Sequence, residues 1–262
     1  MDIKEVGQHN NSATIRHPWE LARSEVVLDI VKKNISNIEN TTVLDIGCGD
    51  TFLIENFADK FSASDFIAVD TAFDNESIKR YEVGLSGKRV KLFNSLDKAK
   101  LEIKSEVSAI FLFDVVEHIE DDISFLKNLA AQPFITDKTL IFITVPAFQV
   151  LFTSHDIFLG HTKRYTNSTL TKLVQDVGFA PLKTGYFFST LLIARSVQLV
   201  KEKLLGVPEN NATHVAKWRG GGIITSFIKL LLMIDYRISI FFNKFGIKLI
   251  GLSNYIVCKK SA

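Results

Sequence analysis

The stretch Val43-Leu44-Asp45-Ile46-Gly47-Cys48-Gly49-Asp50 decides how this chain is read. Residues 42–46 form a short, mostly apolar run that ends in Gly47-x-Gly49, and a helical pattern follows from about Thr51. Such a run between turn signals is the pattern of a strand buried on both faces. Glycines at the strand's end let the backbone turn tightly and let a ligand approach with no side chain in the way. Twenty-three residues after Gly47, at the end of the next apolar run, stands Asp70. A carboxylate there is placed to accept hydrogen bonds from two ribose hydroxyls.

The same rhythm extends along the chain. Apolar runs at 66–69, 90–93, 109–113 and 140–145 alternate with the stretches ENFADKF, DNESIKRYEVG and EDDISFLKNLAAQ, which read as helices or helical loops. Short apolar strands alternating with helices imply a parallel α/β sheet covered on both faces. A helix is expected over 18–33, with Leu21, Val27, Leu28 and Val31 on one side, after a polar tail at 1–16. Beyond Val145 the pattern changes. A loop rich in histidine and aromatics at 146–166 leads to a helix at 167–177 and a strand at 181–188. An apolar helix at 190–205, a loop at 208–222, a long helix at 223–250 and a closing strand at 253–259 complete the reading.

Composition excludes several classes. With 47 % hydrophobic and 23 % charged residues in 262, the chain is globular rather than disordered. Two cysteines, Cys48 and Cys258, exclude a disulfide scaffold. The first twenty residues contain no apolar core region, so no secretory leader is expected and the cytoplasm is the expected compartment. The net charge of +2 hides an asymmetry: residues 181–262 hold 12 Lys+Arg against 3 Asp+Glu, a net of +9, and the first 180 are acidic. On the 223–250 helix, Phe227, Leu231, Ile234, Ile238, Phe242, Phe245 and Leu249 share one side, with Lys229, Arg237, Lys244 and Lys248 roughly opposite. Charges interrupt every window long enough to span a bilayer. The helix is therefore expected to lie in the inner membrane interface, to pack on the domain, or to form a homodimer contact. The acidic first part and the lack of a basic, aromatic strand array argue against nucleic acid.

The glycine loop also discriminates between ligands. A dinucleotide site would want a third glycine where Phe52 stands, and a pyrophosphate would meet Asp50. Asp45, inside the strand, suits an amine-bearing or cationic ligand better. A nucleoside without phosphate, carrying an amino acid and a sulfonium, fits this pattern.

Val43–Gly49, the acidic Asp70, and Phe113-Asp114-Val115-Val116-Glu117-His118-Ile119 resemble the class I S-adenosylmethionine-dependent methyltransferases. More narrowly, the chain is similar to the branch that includes ubiquinone-type O-methyltransferases. The resemblance covers about residues 17–180. It implies a Rossmann-like seven-stranded sheet with helices on both faces. A core with its N-terminal lid helix would span 1–183, a basic, apolar helical insertion 184–250, and a final strand 251–262. Position 51, often glycine in the family, is threonine here.

The resemblance also implies roles. Asp45, Gly47, Cys48 and Gly49 would shape the methionine end of the S-adenosylmethionine pocket. Asp70 and Thr71 would meet the ribose, and Asn94, with Ser95 beside it, the adenine. Asp114 and Val115 would face the cofactor from the fourth strand's end, with Glu117 and His118 at the mouth. Trp19 and Arg23 share a helix face, so Arg23 would pair with the cofactor's carboxylate and Trp19 would meet the substrate.

After the fifth strand come His155, Asp156, His161, Arg164 and Tyr165. A hydroxyl nucleophile must lose its proton, and histidine is the usual acceptor near neutral pH. His161 is the expected base, with His118 and His155 as alternatives, and His155 with Asp156 reads as a His–Asp pair. Lys163, Arg164 and Tyr165 at the mouth are expected to hold an anionic acceptor: a small molecule, a saccharide or a lipid-linked intermediate. No known metal signature matches the spacing, so no metal is expected. The competing readings are a catalytically silent S-adenosylmethionine-binding protein and a nicotinamide-dependent oxidoreductase.

Overall fold

The computed structural model describes residues 16–35, 40–206, 218 and 220–261. The expected tail at 1–16, all but its last residue, and most of the expected loop at 208–222 lie outside them. Each apolar run becomes a strand: β1 Thr42–Ile46, β2 Asp65–Val69, β3 Val90–Phe93, β4 Ala109–Phe113, β5 Leu140–Pro146, β6 Phe179–Phe187 and β7 Ser253–Lys260. The sheet order is β3-β2-β1-β4-β5-β7-β6. The first five strands are parallel to their neighbours, and β7 inserts antiparallel between β5 and β6. This is the Rossmann-like seven-stranded α/β sheet that the sequence implies.

β4 shows why the sheet is covered on both faces. Side chains alternate sides along a strand. Ala109, Phe111 and Phe113 join one buried cluster, while Ile110 and Leu112 join the other. The first cluster is aromatic. Phe57 meets Phe111 at 4.8 Å between ring centroids, and Phe111 meets Phe113 at 4.9 Å. Helices α1 (Pro18–Asn34) and α2 (Phe52–Lys60) cover that face. Helices α5 (Asp122–Ala130) and α7 (Asn167–Asp176) cover the other with Leu126, Leu129, Leu170 and Leu173. Two smaller helices, α3 (Asn75–Gly84) and α4 (Leu96–Lys100), flank the β3 edge, and α6 (Ser154–Leu159) lies within the expected histidine loop.

The C-terminal helices differ from expectation. α8 (Ser189–Leu205) buries no residue. α9 spans Gly222–Lys244 and does not reach 250. Gly246 takes a left-handed φ of +77°, and the amide of Ile247 turns back to the carbonyl of Phe242. The inward face of α9 is mixed: Thr225, Leu232, Asp235, Tyr236 and Ser239 are buried. Tyr236 donates to Asp29 on α1 at 2.7 Å, and Lys229 pairs with Glu25. Asp235 accepts from the amide and hydroxyl of Thr190 at the start of α8. The apolar side faces out, with Phe227, Leu231, Ile234, Ile238, Phe241 and Phe245 exposed. No helix among the described residues is long and apolar enough to cross a membrane.

Phe111 is fully buried between Phe57, Phe113 and Phe142. Replacing it with alanine should cost about 3–5 kcal/mol. A lower urea midpoint with an unchanged slope is the expected result, and an unmoved midpoint would mean that this aromatic stack does not support the sheet.

Candidate active site

The parallel strands deliver their loops to one edge, and the strand order reverses between β1 and β4. Ligands of open α/β sheets bind at that switch point. The β1 loop is fixed by backbone chemistry. Gly47 has a φ of +76° and donates to the carbonyl of Val69 at 2.7 Å. A Cβ on Gly47 would stand 2.5 Å from Val115 Cγ2, so the loop after β4 closes on the one residue type that leaves room. Thr51, next along, has a φ of +65°, which explains why glycine is favoured there. A β-branched residue in that region is strained.

Asp70 locks the adjoining turn. Its carboxylate accepts from the amide of Gly49 at 2.8 Å and the amide of Ala72 at 2.9 Å. Each oxygen keeps a lone pair for a further donor. Thr71, beside it, is exposed at the edge. Cys48 is buried behind the loop, and its thiol is pushed well up by burial. Asn94 follows β3, and Ser95 caps α4 by accepting from the amide of Lys98. Asp50 pairs with Arg16 at 2.7 Å; burial works against its charge, but the pair holds it below the usual carboxylate range.

Asp45 is buried, and desolvation raises its pKa to about 7. Arg23, reaching in from α1, donates to Asp114 Oδ2 at 2.8 Å and to Thr144 Oγ1 at 3.3 Å. Thr144 in turn donates to Asp114 Oδ1 at 2.9 Å. The guanidinium is buried, and its Nε has no partner. Trp19 lies one turn before Arg23, with the guanidinium 5.7 Å from its ring. Asp114 takes a φ of +58° where β4 turns away, a conformation aspartate tolerates better than most residues.

The second half of the site joins the β4 and β5 loops. Thr162 donates both its amide and its hydroxyl to the carbonyl of Glu117, at 2.8 and 2.9 Å. That stitch brings His161 beside His118, with ring centroids 4.8 Å apart and edge to face. Asp156, fully buried, is the hub. It accepts from His161 Nδ1 at 2.9 Å, from Arg164 Nε at 2.8 Å and Nη2 at 3.1 Å, and from the amide of Thr153 at 2.9 Å. Although burial disfavours its charge, these donors hold it far below the usual carboxylate range. With Nδ1 committed, His161 presents Nε2 to the neighbouring groups.

Three expectations are corrected here. The partner of Asp156 is His161 and not the adjacent His155. Neighbours on a helix diverge by about 100°, and Asp156 turns inward at the start of α6 while Gly160, at φ +79°, folds His161 back onto it. Arg164 does not stand at the mouth: it is buried, forked onto Asp156 and donating to the carbonyl of Ala147. Tyr165 is likewise buried and donates to Asp122 at 2.6 Å. His155 is held neutral, its pKa lowered to about 4 by burial and then by Arg195. Sequence reasoning missed Thr144 and Arg195, which donates to Thr153, because neither sits in a recognisable motif. The expectation put Glu117 at the mouth; its carboxylate is instead fully buried, with no partner for either oxygen. Burial, then the charge of Asp114, pushes Glu117 well above its ordinary range.

The profile of a family described as a methyltransferase domain matches residues 19–184. Among curated proteins, none matches the chain. Several solved structures resemble its fold. The plantazolicin methyltransferase BpumL, in complex with a monoazolic desmethylPZN analog and SAH, is 14 % identical with a TM-score of 0.56, over 99 % of this chain and 90 % of that one. Coclaurine N-methyltransferase, bound to N-methylheliamine and SAH, is 15 % identical with a TM-score of 0.55, over 90 % and 72 %. A complex between the Haloferax volcanii Trm112 methyltransferase activator and a putative methyltransferase gives 11 % identity and a TM-score of 0.52, over 92 % and 94 %.

Removing one partner of a buried ion pair leaves the other charge uncompensated. Arg164→Ala should therefore destabilise the protein by about 3–5 kcal/mol. A thermal unfolding scan checks it, since an arginine at an open mouth would change stability by only about 0.5 kcal/mol.

Proposed function

Since the chain belongs to the methyltransferase-domain family and takes S-adenosylmethionine as its cofactor, we propose that it methylates an oxygen of a small, saccharide or lipid-linked acceptor. The observation that carries this reading is the His161–Asp156–Arg164 relay beside the cofactor edge. The motif similarity to ubiquinone-type O-methyltransferases supports oxygen over nitrogen. An amine acceptor needs no such base when it arrives neutral; a hydroxyl must lose its proton.

The residues fit the cofactor. The Gly47 turn, packed too closely on Val115 to carry a Cβ, brings bare backbone to this edge, and Asp70 keeps lone pairs for the ribose. The partnerless Nε of Arg23 suits a carboxylate, and Asp45 suits an ammonium group. The bound cofactor supplies an activated methyl carbon on a sulfonium. Aligning the acceptor with it can be worth about 7–11 kcal/mol. His161 Nε2 would take the acceptor's hydroxyl proton as its oxygen accepts the methyl group that the cofactor would supply, with the electron pair of the broken carbon–sulfur bond left on sulfur. Asp156 steadies the charged ring that results.

The exposed apolar sides of α8 and α9 bear on the acceptor. Ile193, Val197 and Val200 on α8 and Phe227, Leu231 and Ile234 on α9 are exposed, within a C-terminal third with a net of +9. Exposed apolar side chains on a basic segment suit an anionic bilayer, and so a lipid-linked substrate.

Calorimetry tests the cofactor reading. S-adenosylhomocysteine should bind and NAD should give no heat. Asp70→Ala, which removes two hydrogen bonds to a charged group, should weaken binding at least about tenfold. Because Asp45 must ionise to pair with an ammonium, affinity should fall about tenfold per pH unit below about 7 and level off above it. A flat profile between pH 5.5 and 7.5 would separate Asp45 from the amine.

Flotation with vesicles containing phosphatidylglycerol tests the membrane contact. The protein should float, and Phe227→Asp with Ile234→Asp should leave it at the bottom. Wild-type protein that stays in solution would leave the patch to a protein partner or a second copy.

A further inference from the structure

We infer that Arg195, carried by α8, is a positioning residue for His161, acting through Thr153 and Asp156; the inference rests on the reading of His161 as the base. Hydrogen bonds link the four residues. Arg195 Nη1 donates to Thr153 Oγ1 at 3.0 Å. The Thr153 hydroxyl donates to Asp156 Oδ2 at 3.3 Å, and the Thr153 amide donates to the same oxygen at 2.9 Å. Asp156 Oδ1 accepts from His161 Nδ1 at 2.9 Å.

The first member sets the direction of this chain. A guanidinium has donors and no acceptor, whereas a hydroxyl has one proton and two lone pairs. With Arg195 on its oxygen, the Thr153 hydroxyl spends its proton on Asp156. The buried carboxylate is then surrounded by donors from Thr153, Arg164 and His161. A carboxylate held on every side fixes the orientation of the imidazole that leans on it.

The contact between α8 and α6 has a second anchor. Glu202 accepts from the amide of Ser154 at 3.3 Å and from its hydroxyl at 3.1 Å, at the first residue of α6. Gln198 joins the two anchors, accepting from Arg195 at 3.2 Å and donating to Glu202 at 2.9 Å. Residues 195, 198 and 202 are spaced i, i+3, i+7 and share one side of α8. Ile193, Val197, Val200 and Leu204 lie on the opposite side and are exposed. Because α8 buries no residue, its polar row does not serve a hydrophobic core. What the row grips is the start of α6, the helix that carries Asp156. α6 has 6 residues, and isolated helices shorter than about 12–15 residues are marginal in water. A clamp on its first turn therefore adds to the hold that Arg164 has on Asp156. Arg195 lies outside residues 19–184, so part of the support for the base comes from beyond the methyltransferase-domain match.

Proton exchange at the imidazole reads this support. Full-length protein carrying isotope-labelled histidine gives a nuclear magnetic resonance signal for a ring N–H protected from water, and His161→Gln identifies the one from His161. Arg195→Met and Thr153→Val should each quicken exchange of the His161 Nδ1 proton by about 2–10-fold, the loss of one hydrogen bond. The double variant should be no faster than the faster single one, because both act along one path. Arg195→Lys keeps a donor-only cation and should restore slow exchange. Backbone amides of β4 should exchange as in the wild type, which a general loss of stability would not allow. Circular dichroism checks the fold of each variant, and Thr153→Val carries the test where Arg195→Met does not fold. Exchange at His161 that neither single variant quickens overturns the inference. So does quickening that spreads to β4, or effects that add in the double variant. S-adenosylhomocysteine calorimetry on the wild type reports the methyltransferase reading separately: absence of binding there removes the role of His161 as base, while the exchange rates alone report the coupling to Arg195.

Discussion

The closure of the β1 loop against the ends of β2 and β4 is the constraint on which the site depends. Gly47 must adopt a left-handed turn, donate to Val69 and leave room for Val115 within one peptide's reach. Asp70 then fastens the far side by accepting from Gly49 and Ala72. These contacts fix three strand ends relative to one another before any ligand arrives. The cost is visible in Thr51 and Asp114, both held at positive φ by their surroundings. Strain of this kind persists only where packing over-determines the backbone, and here it brackets the loops after β1 and β4.

A second hub acts on the β5 side. Asp156 is buried in a place where an isolated carboxylate would be neutral, yet the forked Arg164 and His161 keep it ionised. Arg164 is therefore best understood through what it does for Asp156. It removes one charge from the balance, so the ring of His161 feels a partly compensated carboxylate rather than a bare one. Asp156 thereby fixes the orientation of the His161 ring and leaves its Nε2 facing the neighbouring groups.

Most of the fold was legible because it rests on local rules. Five-residue apolar runs ending in glycine or acid have few other solutions, and β4 alternates phenylalanine with isoleucine and leucine so that each face receives its own layer. The glycine turn after β1 was legible for the same reason. The histidine loop was not. Its decisive feature is α6, six residues long, too short for periodicity to reveal. Without that helix, the adjacent His155 and Asp156 read as a pair, and Arg164 reads as a solvated charge. The capping pattern of Thr153 with Asp156 was the available signal. For α9, Gly246 was the overlooked stop, since Phe245, Ile247 and Leu249 continue the apolar spacing past it.

The direction in which α9 faces carries a wider lesson. Periodicity reports that a helix has an apolar side, and the usual inference sends that side to the core. Here the inward positions combine apolar contacts, with Leu232 and Tyr236 in the aromatic cluster and Ile228, Met233 and Ile240 packed against it, with specific polar ties: Tyr236 to Asp29, and Asp235 to Thr190. Polar ties fix orientation where nonspecific apolar packing would allow the helix to roll. Phe227, Ile234, Ile238 and Phe241 are left exposed, and α8 buries nothing. A sheet with its own two clusters already filled has no need of them.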